Sequence, residues 1–166
     1  MAVRYVHRPG GKMAPAIASS FLKAVQSAGP TTRSQALDEG TFARLKSVFN
    51  RPELEFTGKG TVLPPGWHLA WFTPDQCDDE LGKDGTDTQF NPPTPFTRRM
   101  WAGGEIEFQG KYNRLEIGRK VEETTGLLSA EPKLTRTGEE MIVVRVQKTY
   151  SDLHEGHLID RRYVLH

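Results

Sequence analysis

Cysteine is almost missing from this 166-residue chain; Cys77 is the only one. A single thiol makes no intrachain disulfide and no cysteine-based zinc site, and it suits a reducing compartment. Long apolar runs are missing too. No stretch approaches the ~18 residues of a membrane span. Ala14–Ala28 is interrupted by serines and Lys23, which argues against a secretory signal. The net charge of +1 leaves no basic footprint for nucleic acid. There is no glycine-rich phosphate loop, no Ser-His-Asp pattern, no internal repeat and no low-complexity tract. Acidic residues are absent from one region in particular. Residues 1–37 hold five of the 22 basic residues and none of the 21 acidic ones, so the remainder is net −4.

What is present divides the chain. Residues 1–34 read as a basic N-terminal arm or targeting segment, which gives a mitochondrial or a cytoplasmic location. Pro15 suits the first position of a helix, Ile17, Phe21, Ala24, Val25 and Ala28 fall near one face, and Gly29-Pro30 stops it. A second helix is expected over Thr41–Phe49, ended by Pro52. Trp67–Phe72 reads as a short apolar strand or extended segment, and residues 73–97 as a long loop with six acidic residues between Asp75 and Asp87. Loops of that length inside a domain tend to be functional or mobile. From Gly103 onward, strands are expected at 104–109, 114–124, 126–136, 140–150 and 157–165, separated by turn signals such as Thr125-Gly126, Thr137-Gly138 and Glu155-Gly156. Strands in series after a helical segment give an α+β domain, with a sheet covering a helix on one face.

Several motifs carry a specific likeness. They are Leu63-Pro64-Pro65-Gly66-Trp67-His68, Asp84-Gly85-Thr86-Asp87 and Arg98-Arg99-Met100-Trp101-Ala102-Gly103-Gly104, followed by the strand succession from Leu115 to Leu165. Over residues 35–166 the chain resembles the N-terminal half of mesaconyl-CoA hydratase-like proteins, relatives of the MaoC-type acyl-thioester dehydratases. The resemblance implies a single hot-dog domain: a curved antiparallel sheet of about five strands around a short helix. It implies hydration or dehydration of an acyl-CoA or other acyl thioester, a lyase reaction without a cofactor. It further implies that the family's catalytic Asp/His pair belongs to a second hot dog beyond the region matched here. The partner would then be a second copy of this chain or another hot-dog protein. Three roles remain open: the substrate-binding half of a hydratase that needs a catalytic partner, a stand-alone dehydratase or isomerase, and a non-catalytic structural or regulatory protein.

Hydration needs a base and a donor for the thioester oxygen. Asp152 and His157 have the family's spacing of five, but they straddle an apparent hairpin turn with no following helix, which disfavours them. His68 and Asp87 are the remaining candidates; a histidine in an aromatic setting is more often structural. Arg98 and Arg99 offer forks suited to CoA phosphates, or to loop carbonyls. With Trp101, Gly103 and Gly104 they form the candidate substrate-binding set. Met100 and Trp101, like Trp67, are expected to be buried. No metal site is expected: with Gly85 as the glycine of a calcium loop, Gly82 and Asn91 stand where ligands are needed.

Overall fold

A computed structural model describes residues 13–82, 85–96, 98–109, 115–152 and 156–165, with backbone alone at 156–158 and 160–163. Helix α1 spans Met13–Ala28. Its small residues Ala14 and Ala18 are fully buried, which lets the helix lie close against the sheet. Its first N–H groups have no partner within the helix; Met13 N and Ala14 N donate to the Glu140 carboxylate at 3.2 and 3.4 Å. Gly29, at φ +79°, ends the helix in a conformation that costs other residues a clash. The segment expected to be an arm therefore packs on the sheet from Met13 on, and residues 1–12 lie outside the described residues.

Strand β1 is Thr31–Ala36 and helix α2 is Glu39–Val48. Asp38 caps α2. Its carboxylate accepts from Thr41 N at 2.8 Å and from the Trp71 indole at 2.9 Å. A long irregular stretch follows. It is interrupted by one 3-10 turn at Trp67–Ala70 and by a bridge between Val62 and Glu116. The strand expected at Trp67–Phe72 is thus a helical turn. Gly66 at φ +84° starts it, and its N–H groups bond carbonyls three residues back, such as Leu69 N to Gly66 O.

The remaining strands are β2 Trp101–Phe108, β3 Lys120–Leu134, β4 Glu140–Asp152 and β5 Gly156–Leu165. The sheet is antiparallel, in the order β1-β3-β4-β5-β2. The two α-helices and five strands among the described residues form the α+β hot-dog arrangement. The two strands expected at 114–124 and 126–136 are one. Thr125-Gly126 sits mid-strand, because Thr125 pairs with Thr31 on one side and Lys148 on the other. Residues 115–119 form a bridge and a turn instead.

One face of the sheet carries the core. Along β3, Val121, Glu123, Thr125 and Leu127 are buried in strict alternation. A bulge between Leu127 and Ser129 then leaves Leu128 exposed and returns Ala130 to the same face. Two clusters cover that face. Near α1, Ala14, Ala18, Phe90, Leu127, Val144 and Val146 pack together. Near α2, Leu37, Phe42, Trp71, Phe72, Val121, Tyr150 and Ile159 do.

Candidate functional site

The second cluster contains a buried charge. Glu123 is 2% exposed, on the apolar face of β3. Such a carboxylate is tolerated only when paired. Two cations from distant elements reach it: Arg33 Nε of β1 at 2.8 Å and Lys148 Nζ of β4 at 2.9 Å, both on Oε1. Thr125 Oγ1 donates to the same oxygen at 3.4 Å. Arg33 spends its other nitrogens on backbone, donating to Thr73 O at 2.7 Å and to Phe72 O, and its guanidinium lies 5.6 Å from the Phe72 ring centroid. Burial is the largest influence on the Glu123 carboxyl and pushes it up. The Lys148 charge, with hydrogen bonds from Lys148, Tyr150 and Arg33, outweighs burial and holds it below its ordinary value. Among the described residues, two cations face this one anion.

His68 borders this cluster. The 3-10 turn carries it inward, and it is 1% exposed. Its ring meets Tyr150 edge-on at 4.7 Å and Phe108 at 6.3 Å. Tyr150 is the cross-strand partner of Glu123. His68, Tyr150, Glu123, Lys148 and Arg33 therefore form a continuous polar seam through an otherwise apolar core.

The other candidates lie elsewhere. Asp87 Oδ1 accepts from Gln89 N at 2.7 Å. Arg99 is brought to it: its guanidinium donates to the Asp87 carbonyl, and to Asn91 Oδ1 at 3.4 Å. Arg98 is exposed. Met100 and Trp101 are 61% and 58% exposed, so their expected burial is incorrect. Trp101 begins β2, an edge strand, and Met100 precedes it, where the core does not reach; Trp67 is partly buried, against Phe42 and Phe49. Gly103, at φ +141°, occupies the bulge where β2 comes into register with β5, and Gly104 pairs with Tyr163. Asp152 is buried, with Arg119 Nε 4.0 Å from its Oδ2. It pairs with Gly156, whereas His157 pairs with Ser151, one rung away; the His157 side chain lies outside the described residues. Among the described residues, no group of three or more His, Cys, Asp or Glu side chains is placed to hold a metal.

The profile of the hydroxyacyl-thioester dehydratase type 2 family matches residues 66–166. The chain belongs to that family. Over 78 residues it is 35% identical to mesaconyl-C(4)-CoA hydratase of Chloroflexus aurantiacus, a match covering 46% of this chain and 27% of that protein. The chain thus spans about a quarter of that relative's length. Solved structures show the same fold. One is a chain of the ChsH1-ChsH2 complex from Mycobacterium tuberculosis, with TM-score 0.63, 13% identity and coverage of 91% of this chain and 90% of that one. Another is the R-hydratase PhaJ1 of Pseudomonas aeruginosa, with TM-score 0.51, 9% identity and coverage of 82% and 77%. This family member is an acyl-thioester hydratase/dehydratase-like hot-dog domain.

Reading the sequence for sites missed the seam of Glu123, Lys148 and Arg33. One signal was available: Glu123 shares its alternation phase with Val121 and Leu127, so a carboxylate had to face the core. Its cations stand 90 and 25 residues away, and nothing local announces them.

Proposed function

We propose that this domain binds an acyl-CoA thioester and acts as one half of a hydratase/dehydratase, completed by a second hot-dog domain that brings the Asp/His pair. The observation that carries the reading is the β2 edge. Met100, Trp101, Ile106 and Phe108 are exposed along or just before a strand that, among the described residues, pairs on one side only, with β5. Such an edge is a template for another strand, and an exposed aromatic-rich row gains from being covered. The two-protein ChsH1-ChsH2 complex, which holds a chain of the same fold, supports assembly with a different hot-dog protein over self-association.

The division of labour follows from the seam. Glu123 is held as a carboxylate by its two cations, so at neutral pH it has no proton to give. Its role is to fix Lys148 and Arg33 on the inner face. The same ion pairs and its burial make that carboxylate a weak and inaccessible base, so the catalytic base and the thioester-oxygen donor are assigned to the partner. Sedimentation of the chain alone and with a hot-dog protein bearing an Asp-x4-His motif tests the assembly. A heterodimer is expected; a monomer that ignores such proteins at micromolar concentration contradicts it.

A further inference from the structure

The two sides of the β2 edge differ in chemistry. The register assigns each residue to a side, because residues directly across from one another share a face. Phe108 lies across from Ile159, which lies across from Tyr150, and both of these are buried in the core. Ile106 belongs to the row of Lys148 and Thr125, on that same core side. Glu105 and Glu107 therefore face outward, and both are exposed. Strand β2 itself holds no lysine, arginine or histidine. In the outward row of Glu105 the neighbouring position is Arg162. The row of Glu107 runs through Asp160, Thr149, Thr124 and Thr32, so it reaches the edge with two acidic positions and no basic one.

We propose that these two glutamates sort the partners of the β2 edge: they oppose pairing with a second copy of this chain and select a strand that bears lysine or arginine at the two outward positions facing them. This rests on the assembly at β2 proposed above and names the chemistry of the partner. A second copy would meet β2 about a two-fold axis, with the same residues on both sides. The centres that overlap most of the strand are Glu105, Ile106 and Glu107. Centred on Ile106, Glu105 of each copy lies opposite Glu107 of the other, which makes two like-charged pairs. Centred on either glutamate, that residue lies opposite itself. A shift of one position avoids these pairs, but it sets Ile106 against a glutamate and turns one copy's core side outward. Like charges directly opposite across a ladder are unfavourable, and opposite charges are favourable. A foreign strand that alternates basic and apolar residues reverses the outcome. Its apolar residue covers Ile106 while its cations meet Glu105 and Glu107. Glu107 is the stronger determinant, because its own row holds no basic position.

The experiment builds the complementary strand into the chain itself. The full-length double variants Glu105→Lys/Glu107→Lys and Glu105→Gln/Glu107→Gln are compared with wild type by sedimentation, after thermal melts show that each folds. Wild type and the lysine variant should each self-associate weakly. Mixed in equal amounts they should associate at least about tenfold more tightly than either alone, since two cross-strand pairs change sign. The glutamine variant, with its repulsion removed and no attraction gained, should fall between. The advantage of the mixture should shrink at high salt, because exposed charges are screened. With wild type as the second component, Glu107→Lys should gain more than Glu105→Lys. A mixture that associates no more tightly than wild type alone overturns the sorting. A hot-dog protein with an Asp-x4-His motif, sedimented with wild type and with the lysine variant, separates this inference from the assembly reading. Equal binding to both sinks the sorting while the assembly stands. A favoured mixture without binding of such a protein keeps the sorting and sinks the assembly reading, and no association in any combination sinks both.

Discussion

Replacing Glu123 with leucine removes the only anion shown contacting both Arg33 and Lys148. The carboxylate is 2% exposed, whereas the Arg33 and Lys148 side chains are 25% and 16% exposed. Breaking a buried ion pair from one side costs about 3–5 kcal/mol, because the other charge is left uncompensated. Here both cations reach some solvent, and Arg33 keeps its two carbonyl acceptors, so the lower end applies: about 3 kcal/mol. In a chain of this size that lowers the melting temperature by roughly 6–12 °C. Urea unfolding should show a lower midpoint with an unchanged slope. Removing the charges together as Arg33→Met, Glu123→Leu and Lys148→Met should recover most of the loss, since the desolvation of all three is then avoided. The pH dependence has a fixed sign. The folded-state pKa of Glu123 is depressed, so its stabilisation is fully present above the ordinary value of 4.5 and is lost as pH falls through the folded value. The wild-type stability should therefore decline more steeply below that pH than the Glu123→Leu stability. A loss under about 1 kcal/mol in Glu123→Leu, or an identical acid limb in the two proteins, would refute the paired-charge account.

Asp38→Ala should cost about 1–2 kcal/mol by chemical denaturation, because it removes the α2 cap and the acceptor of the Trp71 indole together; Asp38→Asn should retain most of that. Trp101→Ala should cost under about 1 kcal/mol, as expected of a residue 58% exposed on an edge strand. Ile106→Lys should leave the isolated chain's melting temperature nearly unchanged yet weaken sedimentation with a hot-dog partner at least tenfold, since a lysine on an edge opposes strand pairing.

What was legible in the sequence was regular and local. The spacing of Ile17, Phe21 and Val25 with a Gly-Pro stop gave α1, and Met141–Val146 gave β4. Strand β1 was invisible: Thr-Thr-Arg-Ser-Gln-Ala has no apolar alternation and is mostly exposed, because β1 is a polar edge held by its pairing with β3. The aromatic run at Trp67–Phe72 has β propensity, but Gly66 and the carbonyls behind it make a 3-10 turn, and that turn buries His68. Thr125-Gly126 looked like a turn because glycine punctuates hairpins; two flanking strands hold it extended. Trp101 stands near the start of a strand, as its place before the Gly-Gly step suggests, but that strand is an edge and leaves it exposed. The polar seam depends on contacts between residues far apart in the chain, which only the folded sheet brings together.

The central claim is that this chain is an acyl-thioester hydratase/dehydratase half that becomes active on pairing. It is tested most directly by following the absorbance of crotonyl-CoA and octenoyl-CoA with the purified chain alone, with an Asp-x4-His hot-dog protein alone, and with the two mixed. The account predicts no turnover by this chain alone and turnover by the mixture that exceeds the partner's own and saturates at one-to-one stoichiometry. Turnover by this chain alone that disappears in His157→Ala or His68→Ala would contradict it and place a complete active site within these 166 residues.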